Sequence, residues 1–358
     1  MKKKLIGLVL TAVFAFTSLT GCGQAEEQRT SAAAAAPEES AETSSSVKEQ
    51  EGITITDQAG RTVKLDGPAE KLVSSYYIST ALLVALGCED NLAGIEMKAD
   101  TRELYRLAAP GLLDLPAVGS GKGINVEETA ALEPDVVILP KRLEESVSSF
   151  DALGIPAVVV NPETQEDFEE CLSLLAEITG RQKEGEELLD YYHGKMNFAR
   201  ELTKDAERPL VYLASGSDYL RTCTSEMYQN ELIAMAGGKN VSQELTDSYW
   251  TAVSAEQLLA WNPDYIFAVS YAEYTLEEIE ENAALKQTAA VQKGNVLTFP
   301  SEIEAWDYPT PSSVLGVLWL TSRLHPELYS EEAYLKDAED FYSRFFGITV
   351  TKEALGVS

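Results

Sequence analysis

A short phrase occurs twice in this chain, at Glu127–Leu139 (EETAALEPDVVIL) and at Glu256–Val269 (EQLLAWNPDYIFAV). Each copy begins with a glutamate, reaches a Pro-Asp pair and ends in an apolar run of the kind that forms a buried strand. Glu127 and Glu256, like Asp135 and Asp264, are separated by 129 residues, which is about one domain length. The repeat therefore predicts two similar α/β lobes that enclose a cleft.

Strand and helix patterns alternate along the chain, after a predicted β-hairpin that begins at Ile53. The predicted strands are 71–75, 91–96, 136–139, 157–160, 210–214, 296–299 and the apolar run of the second copy. The predicted helices are 81–86 (capped by Ser79 or Thr80), 101–108, 126–132, 143–153, one opened by Thr164, 226–235, 276–282, 312–324 and 331–345. Such alternation predicts an α/β fold with two doubly wound lobes and mostly parallel sheets.

A long amphipathic stretch from Arg181 to about Ala206 separates the lobes. Its apolar residues recur at helical spacing and it contains no proline, which predicts one long helix. Two helices broken at Gly194 are the alternative, but no polar turn residues flank that glycine. The predicted organisation is an N-terminal lobe at 52–180, a linking helix at 181–206 and a C-terminal lobe at 207–350.

The N-terminus has the layout of an export signal. Lysines 2–4 precede an apolar core and then Leu19-Thr20-Gly21-Cys22, so residues 1–21 are predicted to be a signal peptide. The last four residues resemble the lipobox of bacterial lipoproteins, which implies that Cys22 carries a lipid on the extracytoplasmic face of the cell membrane. An ordinary secretory signal with an incidental Cys22 is the alternative. Residues 22–51, rich in Ala, Ser and Glu, are predicted to be a flexible tether.

Charge and cysteine usage restrict the partners. The formal net charge of −30 repels phosphate backbones and argues against nucleic acid as a partner. With Cys22 lipidated, Cys88, Cys171 and Cys223 remain, scattered in apolar contexts. We expect buried free thiols, and a Cys88–Cys171 bridge within one lobe is the alternative.

The sequence offers little for catalysis or direct metal binding. It contains two histidines, His193 inside the linking helix and His325 in Leu-His-Pro, and none of the common hydrolase or Cys-x-x-Cys motifs. We therefore expect no enzyme, no catalytic residue, no cofactor and no directly bound metal; a metal would arrive already chelated. A cell-envelope hydrolase is the alternative from another class, and it would need the two histidines to converge.

Several of these features together resemble the solute-binding lipoproteins of ABC importers for iron-siderophores, haem and cobalamin. They are the signal with its lipobox, the two repeat phrases, Trp306-Asp307 and the run 324–327 (LHPE), and the resemblance spans about residues 53–346. It implies a monomer that serves a permease dimer with a cytoplasmic ATPase, with Glu127 and Glu256 docking onto permease arginines. The alternative is that both glutamates only place negative charge at the first turn of a helix.

Candidate ligand residues follow from the rule that loops after strand carboxyl ends line such a cleft. The main candidates are Tyr76, Tyr77, Lys98, Lys141, Arg142, Tyr219, Arg221, Tyr249, Trp250, Tyr271 and Trp306, with Ser75, Met97, Thr222, Asp307 and Tyr308 beside them. Aromatic side chains interleaved with cations suit a large planar or anionic ligand. The sequence therefore predicts a ferric siderophore as the ligand, with haem or cobalamin as alternatives.

Overall fold

The computed structural model describes residues 52–247, 249–300 and 302–357. The predicted signal peptide, Cys22 and the predicted tether lie outside these residues. No helix in the described ranges combines the length and the apolar character that a membrane span requires.

The N-terminal lobe contains a hairpin and a six-stranded sheet. Its strands are β1 (Ile53–Thr56), β2 (Thr62–Leu65), β3 (Leu72–Ser74), β4 (Leu92–Glu96), β5 (Ala117–Ser120), β6 (Gly123–Ile124), β7 (Val136–Pro140) and β8 (Ala157–Val160). Strands β1 and β2 pair antiparallel, and the large sheet has the order β6-β5-β4-β3-β7-β8, with only the β5–β6 pair antiparallel. The helices are α1 (Tyr77–Ala85), α2 (Glu103–Ala108), α3 (Val126–Ala131), α4 (Val147–Ala152) and α5 (Gln165–Thr179).

A single helix, α6 (Gln182–Thr203, 22 residues), follows α5 and leads into the second lobe. It is not broken at Gly194, whose Cα faces open space, and 22 residues at 1.5 Å each give a length of about 33 Å. Its buried Tyr192 contacts both lobes, because the ring packs 5.2 Å from Phe168 of α5 and the hydroxyl donates to the Thr310 carbonyl at 2.7 Å. The predicted linking helix is confirmed.

The C-terminal lobe repeats the α/β pattern around a second six-stranded sheet. Its strands are β9 (Leu210–Ala214), β10 (Arg221–Thr222), β11 (Lys239–Asn240), β12 (Thr251–Ala252), β13 (Tyr265–Val269) and β14 (Val296–Phe299). The order is β12-β10-β9-β13-β14, with β11 beside β9; pairs involving β10 are antiparallel and the others parallel. The helices are α7 (Tyr228–Met235), α8 (Ala255–Trp261), α9 (Leu276–Glu281), α10 (Ala289–Lys293), α11 (Ser313–Leu324) and α12 (Glu331–Phe346).

The two repeat copies have the same structural role in the two lobes. The Asp135 carboxylate accepts a hydrogen bond from the Lys71 amide at 2.8 Å, next to β3, while the Asp135 amide donates back to the Lys71 carbonyl at 2.9 Å. Asp264 makes the matching pair with Leu210, at 3.1 and 2.8 Å, at the start of β9. Each repeat aspartate therefore hydrogen-bonds the start of the strand that follows it to the start of the earliest strand in the six-stranded sheet of its lobe.

Several predicted elements differ at their boundaries. Helix α1 begins at Tyr77 rather than at residue 81, and Ser79 and Thr80 do not cap it. The Ser79 hydroxyl donates to the Tyr76 carbonyl at 2.8 Å, and the Thr80 hydroxyl donates to the Glu96 carboxylate at 2.7 Å. The predicted helix 143–153 is a 3-10 segment, Lys141–Ser146, followed by α4. Short side-chain-to-backbone hydrogen bonds can start or shift a helix without any change in the apolar pattern.

The three cysteines in the described part of the chain are buried and free. The expectation of buried thiols is therefore confirmed for Cys88, Cys171 and Cys223, and the alternative Cys88–Cys171 bridge is wrong.

Candidate functional site

A cleft between the lobes contains two adjoining cavities that share the side chains of Tyr77 and Tyr308. The first, here called the Trp250 cavity, has a volume of about 530 Å³ and is lined by residues that include Tyr76, Arg142, Glu163, Met227, Tyr249 and Trp250. The second, the Arg102 cavity, has a volume of about 470 Å³ and is lined by residues that include Arg102, Tyr105, Tyr271 and Glu304. Both cavities have walls from both lobes.

Two tyrosines at the junction of β3 and α1 form the N-terminal wall. The rings of Tyr76 and Tyr77 pack edge to face, with centroids 5.4 Å apart. The Arg142 guanidinium lies 5.5 Å from the Tyr76 ring centre, and that of Arg102 lies 4.4 Å from the Tyr77 ring centre. These distances are in the range of cation–π contacts. The wall thus presents two cations on aromatic supports.

Burial sets the protonation of this wall. It raises the pKa of both Tyr76 and Tyr77 well above 10, so the phenols stay neutral at physiological pH. Desolvation also raises the pKa of Glu163, while the nearby Arg142 charge lowers it. Positive charge on the wall therefore comes from the two arginines, with Glu163 as the acid beside Arg142.

Buried acids lie beneath the Arg102 cavity. The Glu96 carboxylate accepts hydrogen bonds from the hydroxyls of Thr80 and Tyr105, both at 2.7 Å. Burial raises the pKa of Glu96, and these two bonds lower it. Glu304, on the opposite lobe, is only 8% exposed, and burial raises its pKa to about 7. Within the described ranges, no set of three or more His, Cys, Asp or Glu side chains could hold a metal ion.

The C-terminal wall is aromatic. Tyr271 and Tyr308 lie with ring centres 5.9 Å apart, and the Tyr271 hydroxyl donates to the Asp307 carboxylate at 2.6 Å. Trp250 is half-buried, and its backbone carbonyl accepts a hydrogen bond from the Arg221 guanidinium. Tyr249 is 70% exposed at the rim. The aromatic rings of this wall therefore face the arginines of the N-terminal wall across the cleft.

The two repeated glutamates are exposed and equivalently placed. Glu127 is in the first turn of α3 and Glu256 in the first turn of α8, and each helix leads into a strand inside the sheet of its lobe. The Glu256 amide and Ser254 lower the pKa of the Glu256 carboxyl by hydrogen bonding. Both side chains are thus accessible to a partner.

The sequence model of the periplasmic binding protein family matches residues 72–303. This range begins at β3, includes the linking helix and ends in the loop that carries part of the cleft. The chain belongs to the periplasmic binding protein family.

Curated relatives agree with this membership. The molybdate-binding protein MolA of Haemophilus influenzae is 24% identical over 82% of this chain and 90% of its own length. An uncharacterized ABC transporter substrate-binding lipoprotein, YvrC of Bacillus subtilis, is 22% identical over 92% of this chain and 100% of its own length. A vitamin B12-binding protein of Yersinia pestis is 26% identical over 55% of this chain and 69% of its own. The protein is therefore an ABC-importer solute-binding protein, of a family that works outside the cytoplasm.

Solved structures show the same fold. A periplasmic solute-binding protein from Veillonella parvula superposes with a TM-score of 0.75 at 24% identity, covering 86% of this chain and 96% of that one. The molybdate-bound MolA structure superposes with a TM-score of 0.74 at 23% identity, covering 84% and 99%. The predicted family is confirmed, and so is the predicted α/β fold class with two lobes.

Six of the eleven main ligand candidates line the cleft, as does Tyr308, which was named beside them; the six are Tyr76, Tyr77, Arg142, Tyr249, Trp250 and Tyr271. Trp306 does not, and its prediction is wrong, because the side chain is 1% exposed and its indole N–H donates to the Tyr342 hydroxyl at 3.1 Å. The aromatic ring of Trp306 is therefore part of the core beneath α12.

Four other predicted residues lie outside the cavities. Lys98 and Lys141 are exposed, and Lys141 forms an ion pair with Glu144 at 2.9 Å. The Tyr219 ring packs 5.5 Å from that of Tyr274, against the C-terminal lobe. Arg221 supports the Trp250 backbone and lines neither cavity. The structure gives none of the four a place in the cleft lining.

The sequence analysis did not identify Arg102, Glu163 or Met227, which line the cleft. The strand-end rule could have found two of them. Glu163 lies three residues beyond the carboxyl end of β8. Arg102 follows the carboxyl end of β4 after a 3-10 turn, Ala99–Thr101.

Proposed function

We propose that this protein captures an anionic metal chelate of the ferric siderophore type between its lobes and delivers it to an ABC permease. The observation that carries the proposal is the pairing of two guanidinium groups with two tyrosine rings, Arg102 over Tyr77 and Arg142 over Tyr76. Guanidinium groups bind planar anionic oxygens in bidentate fashion, and tyrosine rings stack on flat ligand groups. Ferric catecholate chelates offer both features, because the complex is negatively charged and its aromatic rings are flat.

Cavity size favours a chelate over a bare ion. The two cavities, of about 530 and 470 Å³, are each within the range of small-molecule pockets. A bare tetrahedral oxyanion such as molybdate, the ligand in the name of MolA, would fill only a small part of either. Cobalamin fits the aromatic lining, but its corrin side chains are amides and offer no carboxylate to the two arginines. The arginines therefore favour an anionic ligand over cobalamin, and the titration below separates a ferric chelate from haem, whose two propionates can also pair with arginines.

The test is a titration of tryptophan fluorescence with a ferric tris-catecholate, a ferric trihydroxamate, haem, cobalamin and molybdate. We expect saturable quenching by a ferric chelate at sub-micromolar concentration. Arg102→Ala and Arg142→Ala should each weaken it at least tenfold, or about 1.4 kcal/mol. Lys141→Ala is the matched control, because this exposed cation lines neither cavity. Saturation only by molybdate, haem or cobalamin, or arginine variants that bind like the control, would contradict the proposal.

We also propose that Glu127 and Glu256 dock the binding protein onto a permease dimer that is coupled to a cytoplasmic ATPase. Support comes from their exposure and their equivalent places in the two lobes. The double variant Glu127→Ala with Glu256→Ala should lose uptake of the chelate in cells and keep its binding affinity. The control changes the next residue in each helix, Glu128→Ala with Gln257→Ala. Unchanged uptake in the glutamate double variant would refute the docking role.

The lipid anchor is a proposal that rests on the sequence around Cys22. Cells fed a labelled fatty acid should label the wild-type protein, and Cys22→Ser should abolish the label and release the protein from the membrane fraction. An unlabelled wild-type protein would show that the signal is an ordinary secretory one.

A further inference from the structure

One aromatic side chain of the cleft is held by a buried acid. Tyr271 lines the Arg102 cavity with 42% of its surface exposed, and its hydroxyl donates to Asp307 Oδ2 at 2.6 Å. A Cβ added to Gly216 would lie 2.8 Å from two ring carbons of Tyr271. The ring thus fits closely against a backbone that lacks a side chain, and the charge-assisted hydrogen bond to Asp307 holds its outer end beside Tyr308.

The carboxyl of Asp307 is unusually poor in partners. The residue is 1% exposed, its Oδ1 has no hydrogen-bond partner, and no ion pair recorded for the described residues involves it. The Gln229 side-chain amide donates to its backbone carbonyl at 2.8 Å, not to its carboxylate. The titratable groups that face Asp307 are the phenols of Tyr77, Tyr228, Tyr271 and Tyr308. Its ionised form is therefore stabilised mainly by the Tyr271 hydroxyl.

We propose that Asp307 is a positioning residue that holds Tyr271 as a wall of the ligand site while ionised and loosens it when protonated, so that acid weakens ligand binding. The inference rests on the proposed function, because it takes the cleft as the ligand site. A hydrogen bond to a carboxylate is about twice as strong as one between neutral groups. Protonation of Asp307 removes that charge assistance and leaves Tyr271 free to leave its place.

The pH range follows from burial. Burial raises the pKa of Asp307 to about 6 from its usual 3.8, and the Tyr271 hydrogen bond lowers it. The carboxylate is therefore ionised at pH 7.5 and protonated at pH 5. Since the ionised form holds Tyr271, affinity is highest above pH 6 and falls as the pH drops through that value. A binding protein with this Asp307–Tyr271 hydrogen bond therefore releases its ligand more readily at acidic pH.

The first experiment measures the dissociation constant of a ferric tris-catecholate between pH 5 and 8. Wild type should lose affinity about five- to tenfold from pH 7.5 to pH 5, beyond any change caused by protonation of the chelate. Asp307→Asn, which is neutral throughout, and Tyr271→Phe should bind more weakly at pH 7.5 and lack this additional loss. The matched control is Tyr274→Phe, which removes a hydroxyl of the same loop that bonds to Ser215 and not to Asp307. It should keep the wild-type profile.

A second experiment needs no ligand. The protein is labelled with ¹³C at the tyrosine Cζ, and the Tyr271 signal is identified by its loss in Tyr271→Phe. It should shift with a midpoint near pH 6 in wild type and stay constant in Asp307→Asn. If the Tyr271 signal titrates in this way but the protein binds no chelate, the positioning role is upheld and the proposed function is refuted. Chelate binding whose pH dependence is the same in wild type, Asp307→Asn and Tyr271→Phe, or a Tyr271 signal without a titration near pH 6, would overturn the positioning role.

Discussion

Glu304 should make the protein less stable at alkaline pH, and Glu304→Gln should remove that effect. The side chain is 8% exposed, and its Oε2 accepts a hydrogen bond from the Ser312 amide at 2.9 Å, just before α11. Burial raises its pKa from 4.5 to about 7, against hydrogen bonds from Ser312 that lower it. The folded state therefore holds the Glu304 proton more tightly than the unfolded chain.

The sign and size follow from this difference in pKa. Below pH 4.5 both states are protonated, and the group contributes its full share of stability. As the pH rises through 7 that contribution is lost, up to about 3 kcal/mol at pH 8.5. Glutamine keeps the size and the carbonyl acceptor but carries no charge at any pH. The free energy of unfolding of the variant should thus match that of wild type near pH 4.5. At pH 8.5 it should be higher by about 3 kcal/mol, which corresponds to about 6 °C in Tm.

The assay is urea and thermal unfolding of both proteins between pH 4.5 and 8.5, followed by circular dichroism. Asp307 also has a raised pKa, but it is present in both proteins and cancels in the difference. The matched control is Glu302→Gln, which makes the same change at an exposed carboxyl of the same loop. A Glu304→Gln protein no more stable than wild type at pH 8.5 would refute the argument from burial.

Four further substitutions test the fold by urea unfolding. Gly316→Ala should cost about 1–3 kcal/mol, because the new Cβ would lie 2.5 Å from the Trp306 carbonyl oxygen; an unchanged midpoint would contradict this contact. Asp135→Ala and Asp264→Ala should each cost about 1–3 kcal/mol, because each leaves a strand amide without its carboxylate partner, and a loss in only one lobe would argue against equivalent roles. Gly194→Ala should raise the free energy of unfolding by about 0.5–1 kcal/mol without changing chelate affinity, because alanine favours the helix and nothing lies within 4 Å of the new Cβ. A destabilised variant would contradict this expectation.

The fold was predictable where local patterns are strong. The duplicated phrase, the apolar strand runs and the spacing in the linking helix depend on periodicities that the backbone itself imposes. Boundaries set by individual hydrogen bonds were not predictable. Ser79 and Thr80 have the composition of a cap, yet both lie inside α1, where the Ser79 hydroxyl bonds to the Tyr76 carbonyl and the Thr80 hydroxyl to Glu96. Glu133 and Asn262 adopt positive φ angles of 49° and 46°, which the sequence suggests only for asparagine.

The site was predictable as a set of loops but not as a set of side chains. Strand ends locate a loop at the cleft, whereas packing decides which way each residue points. Trp306 turns into the core because Tyr342 accepts its N–H, and Arg221 turns to the Trp250 carbonyl. Arg102 reaches the cleft because a 3-10 turn after β4 brings it over the Tyr77 ring. These orientations depend on long-range contacts that a single sequence does not display.

The three buried thiols bear on whether the proposed ferric ligand would meet a reducing group in the protein. Burial raises the pKa of Cys88 and Cys171, and that of Cys223 to about 12, so all three remain as neutral thiols. The thiolate is the reactive form, and buried neutral thiols are inert. If the proposed ferric chelate occupies the cleft, its metal therefore meets no reactive thiolate among the described cysteines.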